Sequence, residues 1–333
     1  MNWIRNSTGC RDRLARMLAA VFVMLTASGS LAQQAAPAQA ITAGEAQELK
    51  VDAPDKKLFF STTRIETRSA DGKGTGVGTG FIFNYDPGDH KNLQFVVTCR
   101  QVVEGFASAT LSFIQRKDGK PSLGEGCQVT VPNLQGMVFY DPDPKIDVAL
   151  ISLRQLLQRS YTNSEVPYFQ MLSGDMVLNR EQAGKLNAIQ PVIFLGYPNG
   201  LSDETNLLPI ARRGITASPY VVDFDGMPVC VINADVAPGS SGSPVVVLDQ
   251  EANLTPTGVK AAGGVHFLGL LSTDYYQTRM TKFRPPPVMA SGTNEQRSGD
   301  MGVVIKPEAI FFTITEYLKV HPTVFPDDSQ QKN

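Results

Sequence analysis

From about residue 57 onwards the chain alternates short apolar runs with turn-forming breaks. The runs include KLFFSTTRIET, GTGFIFNY, LQFVVTC, ASATLSFIQR, CQVTVPN, GMVFYD and DVALISL, then PVIFLGYP, ARRGITAS, VCVINAD, GSPVVVLD, HFLGLLSTDY and GVVIKP. They are rich in Val, Ile, Phe and Thr, and Gly, Pro, Asn and Asp separate them, which is the pattern of short β-strands. A dozen or so such strands with turn-rich links predict barrels or sandwiches. Regular strand–helix alternation is missing, which excludes a doubly wound sheet. Two segments follow a helical period. Residues from Leu153 to about Tyr161 read as a connector between two lobes. KPEAIFFTITEYLKV places Pro307 at a first turn, Glu308 beside it, and Ile310, Ile314 and Leu318 on one face, which predicts an amphipathic C-terminal helix packed on the second lobe. FRPPPVMASGTNEQRSGDMG reads as a loop, and no internal repeat is visible.

The first residues break this pattern. Arg5, Arg11, Arg13 and Arg16 precede an apolar run from Met17 to Leu25, and small residues lead to Ser30-Leu31-Ala32. That order predicts a secretory signal peptide over 1–32, cleaved after Ala32, in a bacterial style. The apolar run is about half of the roughly 20 residues a membrane span needs, so the expected product is a free exported protein, periplasmic or extracellular, with no membrane attachment after cleavage. Residues 33–55, rich in Ala, Gln and Pro, read as a flexible linker. The remaining segment, 56–320, is long enough for one large two-lobed domain, followed by a tail over 321–333. Formal charge is −2 with both signs interspersed, so no electrostatic footprint for nucleic acid is present. Without Cys10 the mature chain keeps Cys99, Cys127 and Cys230. An odd count allows at most one disulfide, so the fold must rest on its apolar core. Cys99 reads as a small buried side chain rather than a nucleophile. No cofactor or metal motif is present, and nothing in the sequence specifies an oligomeric state.

Chemistry concentrates in APGSSGSPVVV, residues 237–247. Gly239-Ser240-Ser241-Gly242 makes a tight turn directly before an apolar strand. Acyl transfer needs a hydroxyl presented on such a turn, with backbone N–H groups aimed at the developing oxyanion, and glycine lets the chain take that shape. Ser241 is the candidate nucleophile, and the N–H groups of Gly239 and Ser241 form the candidate oxyanion hole. By itself the motif is equally a plain Gly/Ser turn between strands. Its company is more specific: GTGFIF at an early strand, DPDPKIDVALISL with Asp147 just before a strand, GYPNGLSDETNLLPIARRGITAS, and HFLGLLST after the serine.

With these segments in this order the sequence resembles the trypsin-like, chymotrypsin-fold serine peptidases, in their bacterial trypsin-like peptidase branch. The resemblance runs from about Lys57 to Lys319. It implies an all-β fold of two six-stranded antiparallel β-barrels with a C-terminal α-helix: a first barrel over about 56–150, a second over about 188–306, and the helix over 307–320. It also implies a peptide or protein substrate in the cleft between the barrels. Carried over by position, Ser241 matches the nucleophile, Asp147 the orienting carboxylate and Gly239 the oxyanion glycine. Gln101 matches the general base. Family members read like TNRHVV or TAAHVV where this chain reads TCRQVV. A glutamine amide has no useful basicity and cannot take the serine proton.

Three other histidines could stand in: His90 in a polar turn, His266 on a strand after the serine, and His321 after the last helix. His266 is the best placed, because strands after the serine line the family's cleft. Asp235 lies six residues before Ser241, where trypsin-type enzymes carry the acid of the specificity pocket. An acid there favours Arg or Lys in the ligand; the plainer reading is a loop Asp making turn hydrogen bonds. Ser240 stands where many members carry an Asp that pairs with a freed N-terminus, which argues against that form of activation. Three expectations follow: a catalytically impaired peptidase homologue that binds peptides or a protein partner, an active endopeptidase with a recruited base, or a structural β-protein. Retained Asp147, Ser241 and Gly239 oppose the third and Gln101 opposes the second.

Overall fold

The computed structural model describes residues 49–88, 92–160, 165–249, 252–255, 258–261, 264–272 and 301–322. The leader and residues 33–48 of the linker lie outside these residues, as does the Pro-rich loop after residue 272. A short helix, α1 (Pro54–Leu58), leads into the first lobe: β1 (Thr62–Arg68), β2 (Thr75–Tyr85), β3 (Leu93–Thr98), α2 (Arg100–Val103), β4 (Ser108–Lys117), β5 (Lys120–Val131), β6 (Val138–Tyr140) and β7 (Ala149–Ser152). These strands hydrogen-bond in the order β5-β4-β1-β2-β3-β7-β6. After α3 (Leu153–Ser160), two very short strands return to the same sheet. β8 (Pro167–Tyr168) adds to β4, and β9 (Leu172–Ser173) runs parallel to β2. The first lobe therefore keeps the expected β1–β7 and adds two short strands, β8 and β9. Its sheet draws on residues well past 150.

The second lobe follows α4 (Arg180–Gly184). Strands β10 (Pro191–Gly196), β11 (Ile210–Thr216), β12 (Val229–Asn233), β13 (Pro244–Leu248), β16 (Val265–Ser272) and β17 (Met301–Ile305) form a closed six-stranded barrel in the order β10-β11-β12-β17-β16-β13. A separate hairpin of β14 (Ala252–Thr255) and β15 (Gly258–Ala261) lies between β13 and β16 in sequence.

The period-2 alternation explains the strands. In β1, Ile65 is fully buried while Arg64 and Glu66 on the other face are partly exposed, as a half-buried strand requires. β3 is buried over Phe95–Thr98, so both of its faces are covered. One core runs through the first lobe and into the second, where Phe81 and Phe83 meet Phe267 at ring-centroid distances of 5.3 and 5.7 Å. A second core fills the closed barrel around Phe194, Ile232 and Leu268.

α5 (Pro307–Val320) closes the described chain, with Pro307 in its first turn and Ile310 and Ile314 fully buried. It packs on the second lobe through β16, as its sequence predicts, and on the first lobe as well. Its aromatic side chains lie mainly against the first lobe: Phe311 on Phe83 and Tyr85, and Tyr317 edge-on to Phe95 and Phe139. Thr313 Oγ1 donates to the buried Asp141 carboxylate at 2.5 Å. Aromatic area adds the first lobe to the helix's contact with β16.

Candidate functional site

Gln101 owes its position to small residues on β2. A Cβ at Gly78 would stand 2.4 Å from Val102 Cγ1, so glycine there lets α2 lie flat on the strand. The turn starts directly after β3, and Arg100 pins its outer side. Arg100 Nη2 donates to the Asp141 carbonyl at 2.5 Å, Nη1 pairs with Glu104 at 3.1 Å, and the guanidinium sits 4.7 Å from the Tyr140 ring centroid.

Asp147 is presented by the DPDP segment. Asp141 Oδ1 accepts from the Asp143 N–H, and Asp143 Oδ1 from the Lys145 N–H, each at 2.9 Å. These are successive Asx turns, and they deliver Asp147 to the end of β7. Its carboxylate accepts from the Gln101 N–H at 3.0 Å on Oδ1. On Oδ2 it accepts from Gln101 Nε2 at 2.9 Å and Ser272 Oγ at 2.6 Å. Gln101 Nε2 also lies 3.3 Å from Ser272 Oγ. Residue 101 thus holds the carboxylate twice, once by backbone and once by side chain.

The Ser241 turn has left-handed φ at Gly239 (89°) and Gly242 (94°). Added side chains would strike backbone: a Cβ at Gly239 would be 2.3 Å from the Tyr197 carbonyl oxygen, and one at Gly242 only 1.7 Å from that of Thr79. Ser241 is buried, with 5 % of its surface exposed. Its carbonyl accepts from the Thr79 N–H at 2.9 Å, and the Gly242 N–H donates to the Leu271 carbonyl at 2.8 Å. Cys99 Sγ donates to that same Leu271 carbonyl at 3.2 Å. Gln101, Asp147 and the Ser241 turn are therefore brought to one place, linked through Leu271 and Ser272 at the end of β16.

Two residues at this junction were not identified from the sequence. Ser272, the last residue of an apolar strand, donates to Asp147. Thr79 ties the lobes together with three hydrogen bonds and makes a fourth within the first lobe. Its N–H donates to Ser241 and its Oγ1 donates to the Gly239 carbonyl at 2.8 Å. Oγ1 also accepts from the Tyr197 N–H at 3.1 Å, and the Thr79 carbonyl accepts from Thr98 Oγ1 at 2.7 Å. The only local signal was a polar, β-branched residue between glycines in GTGFIF.

The histidines lie elsewhere or beyond view. His266 faces Val247 across β13 and β16 and binds Asp249 at 2.9 Å. At a strand's rise per residue it is about 10 Å further along than Pro244. His321 stacks on Tyr317 at 4.2 Å and contacts the Tyr317 carbonyl through Nδ1 at 3.0 Å. His90 lies outside the described residues.

Asp235 is not a pocket floor. Alternation after β12 turns Ala234 and Val236 inward, leaving the Asp235 side chain 73 % exposed and paired with Arg212. Its charge is already compensated at the surface. All three cysteines of the domain are free and buried. Burial pushes the Cys99 thiol well above its ordinary range, and the nearby Asp147 carboxylate adds to this, so it is a packing group and not a thiolate. Among the described residues no cluster of His, Cys, Asp or Glu is arranged to hold a metal, and no helix is long and apolar enough to cross a membrane.

A closed β-barrel packed on an antiparallel sheet, with a glycine-flanked serine turn and a buttressed aspartate between them, defines a trypsin-like serine peptidase fold. The chain belongs to the trypsin-like peptidase domain family, whose model matches residues 78–254, a little over half of its length. No curated protein matches it. Among solved structures it is similar to the active form of the Rv3671c protease from M. tuberculosis, with 17% identity, 78% of this chain and 81% of that one covered, and a TM-score of 0.39. It is also similar to the HtrA-type protease AlgW with tripeptide (13% identity, 80% and 62% covered, TM-score 0.42). The serine endoprotease from Yersinia pestis gives 12% identity, 79% and 65% covered, and a TM-score of 0.42.

Proposed function

We propose that this protein is an exported, catalytically disabled trypsin-like peptidase homologue that binds peptides or a protein partner in the cleft beside Ser241. One observation carries the reading: the Gln101 amide occupies the base position and spends its N–H on Asp147, 2.9 Å away. The amide nitrogen is identified by its partner, since an amide oxygen facing a carboxylate would be repelled. An imidazole in this place would give Asp147 one N–H and keep a basic nitrogen for the serine. The amide has no basic nitrogen: Nε2 also reaches Ser272 Oγ at 3.3 Å with its second N–H, and the carbonyl oxygen can accept a hydrogen bond but cannot carry a proton away. Peptide binding needs none of that chemistry, because the family's cleft holds substrate by backbone and pocket contacts. Export follows from the leader over residues 1–32.

The test is to incubate the purified mature protein with a fluorophosphonate and with a mixed peptide library. Intact mass should show no adduct on Ser241. Mass spectrometry should recover peptides retained by the protein and no cleavage products. Stoichiometric labelling with peptide turnover would overturn the impaired reading in favour of an enzyme with a recruited base. Absence of retained peptides would remove the binding half. N-terminal sequencing of protein secreted by a bacterial host should begin at Gln33, and a mature chain that retains the leader would refute export with cleavage.

A further inference from the structure

Asp141 stands back from the candidate site, yet its hydrogen bonds reach the flanks of two site residues and the C-terminal helix. Its N–H donates to the Val148 carbonyl at 3.2 Å, directly after Asp147. Its carbonyl accepts from Arg100 Nη2 at 2.5 Å, directly before Gln101. Oδ1 accepts from the Asp143 N–H at 2.9 Å and so shapes the turn that delivers Asp147. Oδ2 accepts from Thr313 Oγ1 at 2.5 Å, on α5 and 172 positions later in the chain. Asp141 is 2 % exposed and Thr313 is fully buried, so this last bond runs through the interior. The Thr313 hydroxyl also lies 2.8 Å from the Ala309 carbonyl of its own helix. It has one proton, and an ionised acceptor makes the stronger bond, which assigns that proton to Asp141.

The helix meets three strands that lead to the site. Tyr317 packs edge-on to Phe95 of β3, which runs into the Gln101 turn. α5 also contacts β7, which follows Asp147, and β16, which ends at Ser272. Apolar contacts of this kind are non-directional and leave the helix free to slip or rotate by small amounts. The bond to Asp141 does not. A displaced hydroxyl would leave a buried carboxylate short of a donor, which is costly. A polar pair set among apolar contacts is a device for fixing register.

We propose that Asp141 and Thr313 are positioning residues, through which α5 holds the Asp147 carboxylate and the residue-101 turn in register. They act through Asp147 and Gln101 and not on a ligand. The proposal rests on the reading above only in taking residues 101, 147 and 241 as the site. The coupling itself is read without ligand or turnover, so its failure and the failure of that reading are distinguishable.

The test compares Thr313→Val, Thr313→Ser and Ile310→Val in the full mature chain labelled with ¹⁵N. Ile310 is fully buried on the same helix, so Ile310→Val loosens packing without touching the clamp. Thr313→Val should shift the Gln101 side-chain amide and the backbone amides of Gln101 and Asp147. It should also speed hydrogen exchange at the Gln101 N–H by about tenfold or more. Thr313→Ser keeps the hydroxyl, and both it and Ile310→Val should leave those signals in place. In a Gln101→His background that turns over substrate, Thr313→Val should lower kcat by about ten- to hundredfold at unchanged KM. The parent protein supplies a measurement that needs no variant to fold: the Thr313, Asp141 and Gln101 amides should exchange through one opening with a common denaturant dependence. Gln101 and Asp147 signals that stay in place in Thr313→Val would overturn the proposal. So would equal shifts in Ile310→Val, or opening of α5 while Asp141 and Gln101 stay protected.

Discussion

Replacing Gln101 by histidine should restore catalysis, and the structure sets the size of the gain. The partners an imidazole needs are in place. The backbone N–H of residue 101 is tied to Asp147 at 3.0 Å whatever its side chain, and Ser272 steadies the same carboxylate at 2.6 Å. An imidazole Nδ1–H at the position of the present amide N–H would be fixed in the correct tautomer, leaving Nε2 for Ser241. On the proposed reading, oxyanion stabilisation would come from backbone groups of the 239–241 turn and would not involve residue 101. General-base catalysis contributes about 10²–10⁴ in rate, or roughly 3–5 kcal/mol of barrier. Loss of the histidine from a subtilisin costs about 10⁶, which bounds the gain from above. Gln101→His should therefore hydrolyse activated peptide esters and thioesters about 10²–10⁴ times faster than the parent. Its rate should rise with pH through an imidazole pKa lifted by the neighbouring Asp147 carboxylate. Adding Asp147→Asn should remove most of the gain, since the tautomer is then wrong. Adding Ser241→Ala should remove all of it. A folded Gln101→His protein with the parent's rate would refute the claim that only the base is missing. An equal and substantial rate in both would refute the claim that Gln101 disables the site.

Thr79→Val should cost about 2–6 kcal/mol in urea unfolding, because it leaves the Gly239 carbonyl and Tyr197 N–H buried without their shared partner, at about 1–3 kcal/mol each; Thr79→Ser should recover most of it. Gly242→Ala should fail to accumulate as folded protein, as its Cβ would overlap the Thr79 carbonyl, whereas Gly72→Ala, also at positive φ (70°) but in open space, should cost about 1 kcal/mol in the same assay. Gln101→Leu should lower stability by about 1–3 kcal/mol, because Asp147 loses a donor, and Gln101→His should not; equal unfolding midpoints for the two variants would count against that network. Stability should fall as pH rises above about 9. Burial pushes the Cys230 thiol from 9.0 to about 12 and the Tyr197 phenol from 10.0 to about 12, so above their ordinary values the unfolded chain releases protons that the folded chain retains. Their contribution is complete below pH 9 and is lost towards pH 12, at roughly 1 kcal/mol per pH unit for each group. A flat unfolding free energy between pH 9 and 11 would contradict this.

The strand pattern was legible because it is local. Alternation in β1 and continuous burial in β3 can be read from a handful of residues, and so can the Pro307 start of α5. The first lobe's extra strands were not legible. β8 and β9 are two residues each and exist only because the sheet edge and β2 are there to receive them. The docking of α5 was legible only in its second-lobe half, since its first-lobe partners Phe83, Tyr85, Phe95 and Phe139 lie far upstream in sequence and nothing in the helix names them. At the candidate site, Ser241, Asp147 and Gln101 stood out because each sits in a local signature, a glycine turn, a Pro-Asp turn and a strand-end turn. Thr79 and Ser272 have no such signature. Each acts through one hydroxyl whose value depends on which backbone or carboxylate group the other lobe places opposite it. Asp235 shows the converse error. Its spacing from Ser241 matched a pocket acid, but the alternation Ala234-Asp235-Val236 had already turned it outward to Arg212.

The structure also explains how the base could change without disturbing the fold. Asp147 is half-buried and takes three hydrogen bonds, two of them from residue 101. A carboxylate left short of donors in such a place is costly, so most replacements of a histidine here would be punished in stability before activity was considered. Glutamine is one of the few side chains that is neutral, reaches the same carboxylate with an N–H, and leaves an acceptor on its other end. Every hydrogen bond that holds Asp147 is thereby kept, while the one property that separates imidazole from amide, a nitrogen able to take and return a proton near neutral pH, is lost. Structure and chemistry are separable at this position, so on the proposed reading the framework around Ser241 stays intact while the group at the base position is inert.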